Sequence, residues 1–295
     1  MSGHDEAHTS TMQRPNTYDR DAWQGYWRAQ GQPWRTEPEI DLERQRVLTA
    51  HVTALPGSEQ NPSPFKDMPL SRADVEWLLA TYEDGRGPVD WGERSQRARF
   101  GINLCGADLR RADLRGLPLA RVHAGLPWFR RNFHTSEQLD EVGVRLEKAD
   151  LRGTHLEGAI LRGAHLEHAD LQGAFLEEAD LSRAHLESAD LPEAHLEDAV
   201  LIRAHLEGTH LREAHLEGAD LRRAFLDFAT NLDGTSISNS QGESALLAGI
   251  HWGGVDLTML NWAQVKLLGD EQRVRRNNER RDEDRREGAR RLTEY

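Results

Sequence analysis

Cysteine is almost absent from this chain. Cys105 stands alone among 295 residues, so an intrachain disulfide and a cysteine-based zinc site are both excluded. Aromatic residues make up 6% and hydrophobic residues 37%, which is low for a globular enzyme of this size. No run approaches the ~18 uncharged apolar residues of a membrane helix. The first twenty residues carry neither an apolar core nor a cleavage-like site. These absences lead to the expectation of a cytoplasmic protein that makes no membrane contact. Net positive charge is missing too. A formal charge of -13 sets up a field that repels phosphates and anionic lipid, so direct nucleic-acid binding is not expected and a basic protein partner is favoured. With no nucleophile elbow, phosphate loop or metal signature, the chain reads as a non-enzyme without cofactor or assigned metal ligand.

What the sequence has instead is a period. From Leu146 to Leu226 every fifth residue is leucine, seventeen in succession. Alanine stands two residues before most of them, from Ala149 through Ala224, with Val144, Thr154 and Thr209 as exceptions. Five residues cannot make a helical stripe: at about 100° per residue, successive leucines would step ~140° around the axis. On an extended chain, residues two apart share a face. Each Ala–Leu pair therefore points one way and the polar residue between them the other, and two further residues turn the chain. A unit this small cannot bury its own leucine, so units must stack around one shared interior.

Units such as ADLRR, ADLRG, AHLEG, ADLQG and AFLEE resemble the pentapeptide-repeat proteins, strongly over Val144 to Phe228. The resemblance implies an all-β solenoid, a right-handed quadrilateral β-helix with four units to each coil. Around it the sequence adds a small α-helical N-terminal region and a charged C-terminal tail.

The period extends both ways. Upstream, Leu104, Leu109, Leu114 and Leu119 form a first coil over 101–123, and an inserted helical loop at 124–143 separates it from the main stack at 144–229. Thr135 and Gln138 suit a capping box in that insert. Downstream, a one-residue slip between Leu226 and Leu232 precedes a degenerate series through Ile237, Gly242, Leu247, Trp252, Leu257, Trp262 and Leu267. It reads as about two terminal coils and a cap over 230–269, where an apolar homodimer contact at 250–262 is a further expectation.

The flanks divide into a disordered tail at 1–20, a helical and aromatic region with a cap at 21–100, and a charged helix or disordered tail at 270–295. Within 21–100, DAWQGYWRAQ reads as one helix and IDLERQRVLTAHVTAL as a second. The Pro/Ser/Asn-rich PGSEQNPSP follows as a linker. Ser71 and Asp74 then form a capping box for a helix to about Tyr82, with Val75, Leu78 and Leu79 inward. All eight tryptophans lie outside the main stack; Trp23, Trp27 and Trp34 are either cap packing or a partner contact.

Candidate binding residues come from the alternation of AHLE-type and ADL-type units. With the four-unit coil that the resemblance implies, His155, His195 and His215 stack on one face, with Phe175 interrupting, and Glu157, Glu177, Glu197 and Glu217 accompany them. His165, His185 and His205 stack on the opposite face below Phe225, beside Glu167, Glu187, Glu207 and Asp227. Like charges 4.8 Å apart repel by about 0.9 kcal/mol even in bulk water, so such stripes strain the rod unless they serve a partner. Between Val144 and Ala229 eighteen acids face nine Lys/Arg. The reading is an acidic, rod-like scaffold or protein-binding module. The alternatives are a duplex-mimicking modulator of DNA gyrase or topoisomerase, as some members of that family are, and a His/Glu metal-binding surface.

Overall fold

The computed structural model describes residues 13–52, 63–125, 142–237 and 244–256. Its main body is a stack of coils in which each five-residue side contributes one paired residue. Parallel bridges join residue i to i+20: Arg145 to His165, Asp150 to Asp170, His155 to Phe175, Ile160 to Asp180, and so on up the stack. Twenty residues per turn is four units of five, so the coil is four-sided.

The residue pattern follows from where each amide goes. In the Leu151 unit, the leucine N–H donates to Asp170 O of the next coil at 2.7 Å, and Gly153 N donates to Gln172 O at 3.0 Å. Asp150 N reaches down to Ala112 O, and Thr154 N closes a turn onto Leu151 O at 3.1 Å. The amide after the leucine is left over. Aspartate before the leucine takes it: Arg115 N to Asp113, Gln172 N to Asp170, Ser182 N to Asp180 and Arg222 N to Asp220 all bond a carboxylate oxygen at 3.1–3.3 Å. This two-residue side-chain turn is the physical use of Asp at that position, and the sequence reading missed it.

Every turn also needs one residue of positive φ. Gly153, Gly163 and Gly173 supply it without steric cost, yet Lys148, His168, Glu178 and Arg183 adopt φ of 58–62° as well. Strain of about 1–3 kcal/mol at each such residue is outweighed by the inter-coil and turn bonds that fix it. Gly158 is required for a second reason: a Cβ there would lie 2.9 Å from the ring of Trp91, which packs over that turn.

Inside, the leucines from Leu146 to Leu226 are at most 4% exposed and the alanines at most 1%. Thr154 and Thr209, the exceptions in the alanine column, are fully buried; their hydroxyls donate to Leu114 O and Leu206 O at 2.9 and 2.7 Å. Thr230 and Thr235 do the same above them. A hydroxyl is tolerated in this apolar column because a carbonyl lies within reach.

The ends depart from the sequence reading. Below the first coil lies a further unit over 63–70, part of it read as linker: Phe65 and Leu70 stand five apart, Asp67 has φ 57°, and Pro69 bridges Asp108. Proline and methionine replace the usual small and polar residues there, which hid the period. The first coil also runs on through His123, which bridges Asn103, so Ala124 takes a leucine position. The step to the next coil is 37 residues, as in Asp108 to Arg145, which places a 17-residue insertion beside it. Gly125 and Gly143 flank it, each where a Cβ would collide with backbone of the coil above. The proposed helix with Thr135 and Gln138 lies outside the described residues.

Past Leu226 the one-residue slip is present: His210 bridges Asn231 and His215 bridges Ser236, 21 residues on. The step then becomes 26, from Asp220 to Leu246 and from Phe225 to His251. The step between Ser236 and Leu246 is thus five residues longer, and Gly242 lies outside the described residues. One terminal coil, not two, lies among the described residues. Leu257, Trp262, Leu267, the 257–262 part of the suggested dimer contact at 250–262 and the tail at 270–295 fall outside them.

At the other end, three helices cover the stack: α1 (Arg20–Ala29), α2 (Leu42–Val52) and α3 (Arg72–Gly85). Residues 13–19 are not a free tail: Asp19 caps α1, and Thr17 O accepts from Trp23 Nε1 at 2.7 Å. The capping box of Ser71 and Asp74 opens α3 as expected, and regular helix ends before Tyr82, where ψ becomes 138°. Val75, Leu78 and Leu79 join the same core as the leucine column. The lock is Glu76, a fully buried carboxylate. It accepts from Thr36 N at 2.9 Å, Glu37 N at 2.9 Å and Arg72 Nε at 2.8 Å.

Two outcomes are expected. Leu186→Ala lowers stability by about 2–5 kcal/mol, and Ala184→Phe by 1–3 kcal/mol or more through overpacking. Urea denaturation followed by circular dichroism checks both, and unchanged midpoints would contradict the inward assignment. Glu76→Ala takes the buried carboxylate from Arg72 and leaves two amides without their acceptor, at a cost of about 3–5 kcal/mol; hydrogen exchange should show the loss first in residues 20–85.

Candidate functional site

Four columns of outward residues run up the stack, one per side. One side stacks His155, Phe175, His195 and His215, with ring centroids 4.7–5.1 Å apart and planes within 10° of parallel. The opposite side stacks His165, His185, His205 and Phe225 at 4.7–5.1 Å. His251 continues this second ladder 4.6 Å above Phe225. The ring spacing is the inter-coil hydrogen-bonding distance, imposed on the side chains by the backbone. Both ladders stand where the sequence placed them. His251 was missed because the five added residues moved its register.

Each glutamate two positions on turns back toward its histidine. Nδ1 lies 2.9 Å from Glu157 Oε1 at His155, 3.3 Å from Glu167 at His165, and 3.4 Å at the His185–Glu187, His195–Glu197 and His205–Glu207 pairs. His215 and Glu217 are 3.8 Å apart. The second oxygen of each of these carboxylates, and of Glu177, is buried without a hydrogen-bond partner. Asp227 leaves the ladder: at the slip it accepts from Gly208 N at 2.8 Å and Ala229 N at 3.0 Å. The carboxylate stripes are thus interleaved with imidazole, not bare.

The electrostatics vary along the ladders. The hydrogen bond to Glu157 raises the pKa of His155 against the opposing effect of burial. Burial pushes Glu167 upward, but the His165 hydrogen bond, a backbone amide and the His165 and His185 charges hold it below the usual range. Glu177 has Phe175 where a histidine would stand. Burial raises it, and the charges of Glu157 and Glu197 on either side add to the rise.

The remaining sides differ. One carries Asp113, Asp150, Asp170, Asp190, His210 and Asn231. Arg115 and Arg152 fork onto their own aspartates at 2.6–2.9 Å and reach those of the next coil at 3.3–3.4 Å. Arg20 and Arg72 from the helical region also bind Asp113. The last side is mixed, running from His123 through Ile160, Asp180, Val200 and Asp220 to Leu246. His123 is buried, and desolvation with the nearby Arg121 charge lowers its pKa to about 3. Burial raises the Cys105 thiol to about 12, which makes it unreactive.

The aromatic contact suggested by Trp23, Trp27 and Trp34 is not an open surface. Trp23 and Trp27 are 4% and 7% exposed, and Trp34 packs against the core. Trp27 Nε1 donates to Glu37 O at 2.8 Å, and the Arg35 guanidinium lies 3.6 Å from its ring centroid. These tryptophans hold α1 and the following segment to the cap. No helix among the described residues is long and apolar enough to cross a membrane.

Comparison with known proteins agrees with the geometry. A family described as Pentapeptide repeats matches residues 142–178, 179–218 and 199–241, with eight copies. No curated protein matches. Among solved structures, the pentapeptide repeat protein Rfr23 from the cyanobacterium Cyanothece 51142 is 26% identical, covering 51% of this chain and 90% of that one, with a TM-score of 0.29. HetL of Nostoc sp. strain PCC 7120, involved in heterocyst differentiation regulation, is 31% identical over 51% of this chain and 66% of its own, with a TM-score of 0.18. The plasmid-mediated fluoroquinolone resistance protein QnrB1 is 18% identical over 56% of this chain and 79% of its own, with a TM-score of 0.26.

The raised pKa of His155 fixes a sign for pH dependence. Its contribution to stability is complete below the unfolded value of about 6.5 and is lost as pH rises through the higher folded value. NMR titration of the imidazole should give a midpoint above that of free histidine, and Glu157→Gln should lower it. A midpoint unmoved by that change contradicts the pairing.

Proposed function

Because the chain belongs to the pentapeptide-repeat proteins through residues 142–241, we propose that it is a non-enzymatic scaffold: an acidic rod that binds a basic protein partner. Its hand is the right-handed one that the family's quadrilateral β-helix implies. The observation that carries the reading is the pair of opposed faces on which carboxylates recur at every coil. On these faces Glu187, Glu197 and Glu207 keep about a third of their side-chain surface open to water.

A fixed comb of carboxylates favours a partner that presents Lys or Arg in a row. The frame loses little backbone entropy on binding, since the spacing of its side chains is set by the stack. Complementary charge of this kind speeds encounter and selects partners more than it adds affinity. The aspartate side serves less well, because Arg115, Arg152, Arg20 and Arg72 already neutralise its lower half. The excess of eighteen acids over nine Lys/Arg in the main stack also suits the second reading, a duplex-mimicking modulator of DNA gyrase or topoisomerase.

The full chain and the triple variant Glu167→Gln, Glu187→Gln, Glu207→Gln should be compared in affinity capture with mass spectrometry. Under the scaffold reading, capture of basic proteins weakens with salt and is reduced in the variant, which keeps only the face of Glu157, Glu177, Glu197 and Glu217; an identical captured set in both overturns it. Supercoiling by purified gyrase decides the second reading: inhibition or protection at micromolar protein supports mimicry, and no effect discards it.

A further inference from the structure

The scaffold reading uses the histidines only to separate like charges. Their ring nitrogens, set among carboxylate oxygens, are also a metal-ligating set. In this molecule each inner histidine lies between two glutamates, its own and that of the coil below. On one face, Glu167, His185 and Glu187 bring one donor atom each within 4.8 Å of one another, and Glu187, His205 and Glu207 repeat the arrangement one coil higher. On the opposite face, Glu177, His195 and Glu197 form such a group, followed by Glu197, His215 and Glu217.

We propose that these Glu–His–Glu triads bind divalent transition-metal ions of the zinc class, as two short arrays on opposite faces of the rod.

Three observations support the assignment. First, the donor set is one imidazole nitrogen and two carboxylate oxygens, which leaves a further position for water. Imidazole selects zinc-class ions over Mg2+ and Ca2+, which prefer all-oxygen sites. Second, each carboxylate has one oxygen that is buried and has no hydrogen-bond partner. Unsatisfied buried acceptors are unfavourable, and a cation is the ligand that repeated, unpaired carboxylate oxygens call for. Third, the spacing is fixed from below. The coil repeat brings successive imidazoles to 4.9–5.1 Å, and bridging of neighbouring ions by Glu187 on one face and Glu197 on the other follows from their membership of two triads each. Zinc bonds of about 2.0–2.2 Å need donors about 3.3 Å apart. The glutamates, with 16–35% of their side-chain surface exposed in Glu167, Glu187, Glu197, Glu207 and Glu217, have room to close that gap by rotation.

Phe175 supplies an internal contrast. It occupies the histidine position between Glu157 and Glu177, stacked parallel to its neighbours at 4.7 and 5.1 Å. No imidazole stands between these two carboxylates, and they form no triad with each other.

The experiment is zinc titration of the chelator-treated full chain by isothermal calorimetry, with Co2+ visible absorption as a second readout of nitrogen and oxygen coordination. Four zinc equivalents are expected from the four triads. Glu187→Gln and Glu197→Gln each remove the shared ligand of one face and halve the number bound; the double variant loses them all. His155→Gln, outside the triads, leaves the number unchanged, and Phe175→His adds one equivalent between Glu157 and Glu177. Circular dichroism melts confirm that each variant is folded. Stoichiometry insensitive to Glu187→Gln and Glu197→Gln in folded protein, or absence of zinc binding in the micromolar range, overturns the proposal. Neither result bears on capture of a basic protein by the metal-free chain.

Discussion

Backbone hydrogen bonds between successive coils set the one distance on which the rest of the molecule depends. Each unit sends amides both up and down the stack, so every coil is held by the two beside it and the leucine column is sealed between them. The column is narrow for the same reason: four five-residue sides enclose room for an alanine and a leucine from each, and little else. Threonine enters only where its hydroxyl can bond a carbonyl. Positive-φ turns occur at charged residues as well as glycine because the bonds on either side over-determine them.

The same distance dictates the outer surface. Residues at one position of the unit are repeated every coil at hydrogen-bonding separation, too close for like charges to sit without cost. Each side of the rod meets this constraint differently. The aspartate side uses arginines that fork onto one carboxylate and touch the next. The two glutamate sides use imidazoles between carboxylates. Where phenylalanine replaces histidine, as at Phe175, burial raises the pKa of the neighbouring Glu177 and the charges of Glu157 and Glu197 add to the rise.

A column of this sort has exposed ends, and each end is closed with residues that break the repeat. At the lower end Phe65 and Leu70 start the column, and α3 packs Val75, Leu78 and Leu79 against it, with Glu76 pinning the α1 segment through Arg72 and two amides. The tryptophans that look in the sequence like a binding element are part of this closure. Trp91 performs a related service on the side of the rod, lying across the turn at Gly158.

Leu146 to Leu226 determined, by sequence alone, a stacked solenoid and its inward residues, because a strict period of five admits one way of burying the leucines; the two histidine ladders needed in addition the four-unit coil that the pentapeptide-repeat resemblance implies. Ser71 and Asp74 likewise announced α3 through local chemistry. What the sequence could not supply were the relations that depend on which residues meet across coils. The unit at 63–70 lacks the alanine and leucine pattern and is recognisable only by its bonds to Cys105, Gly106 and Asp108. The series through Gly242 looks in the sequence like one more period, and only the bridge from Asp220 to Leu246 shows that the step has lengthened by five. The burial of Trp23 and Trp27, and the placing of each inner histidine between two glutamates twenty residues apart, were decided by the folded stack. Periodicity fixes which way a side chain points; the partner it meets depends on the registration of coils, and that is a property of the tertiary structure.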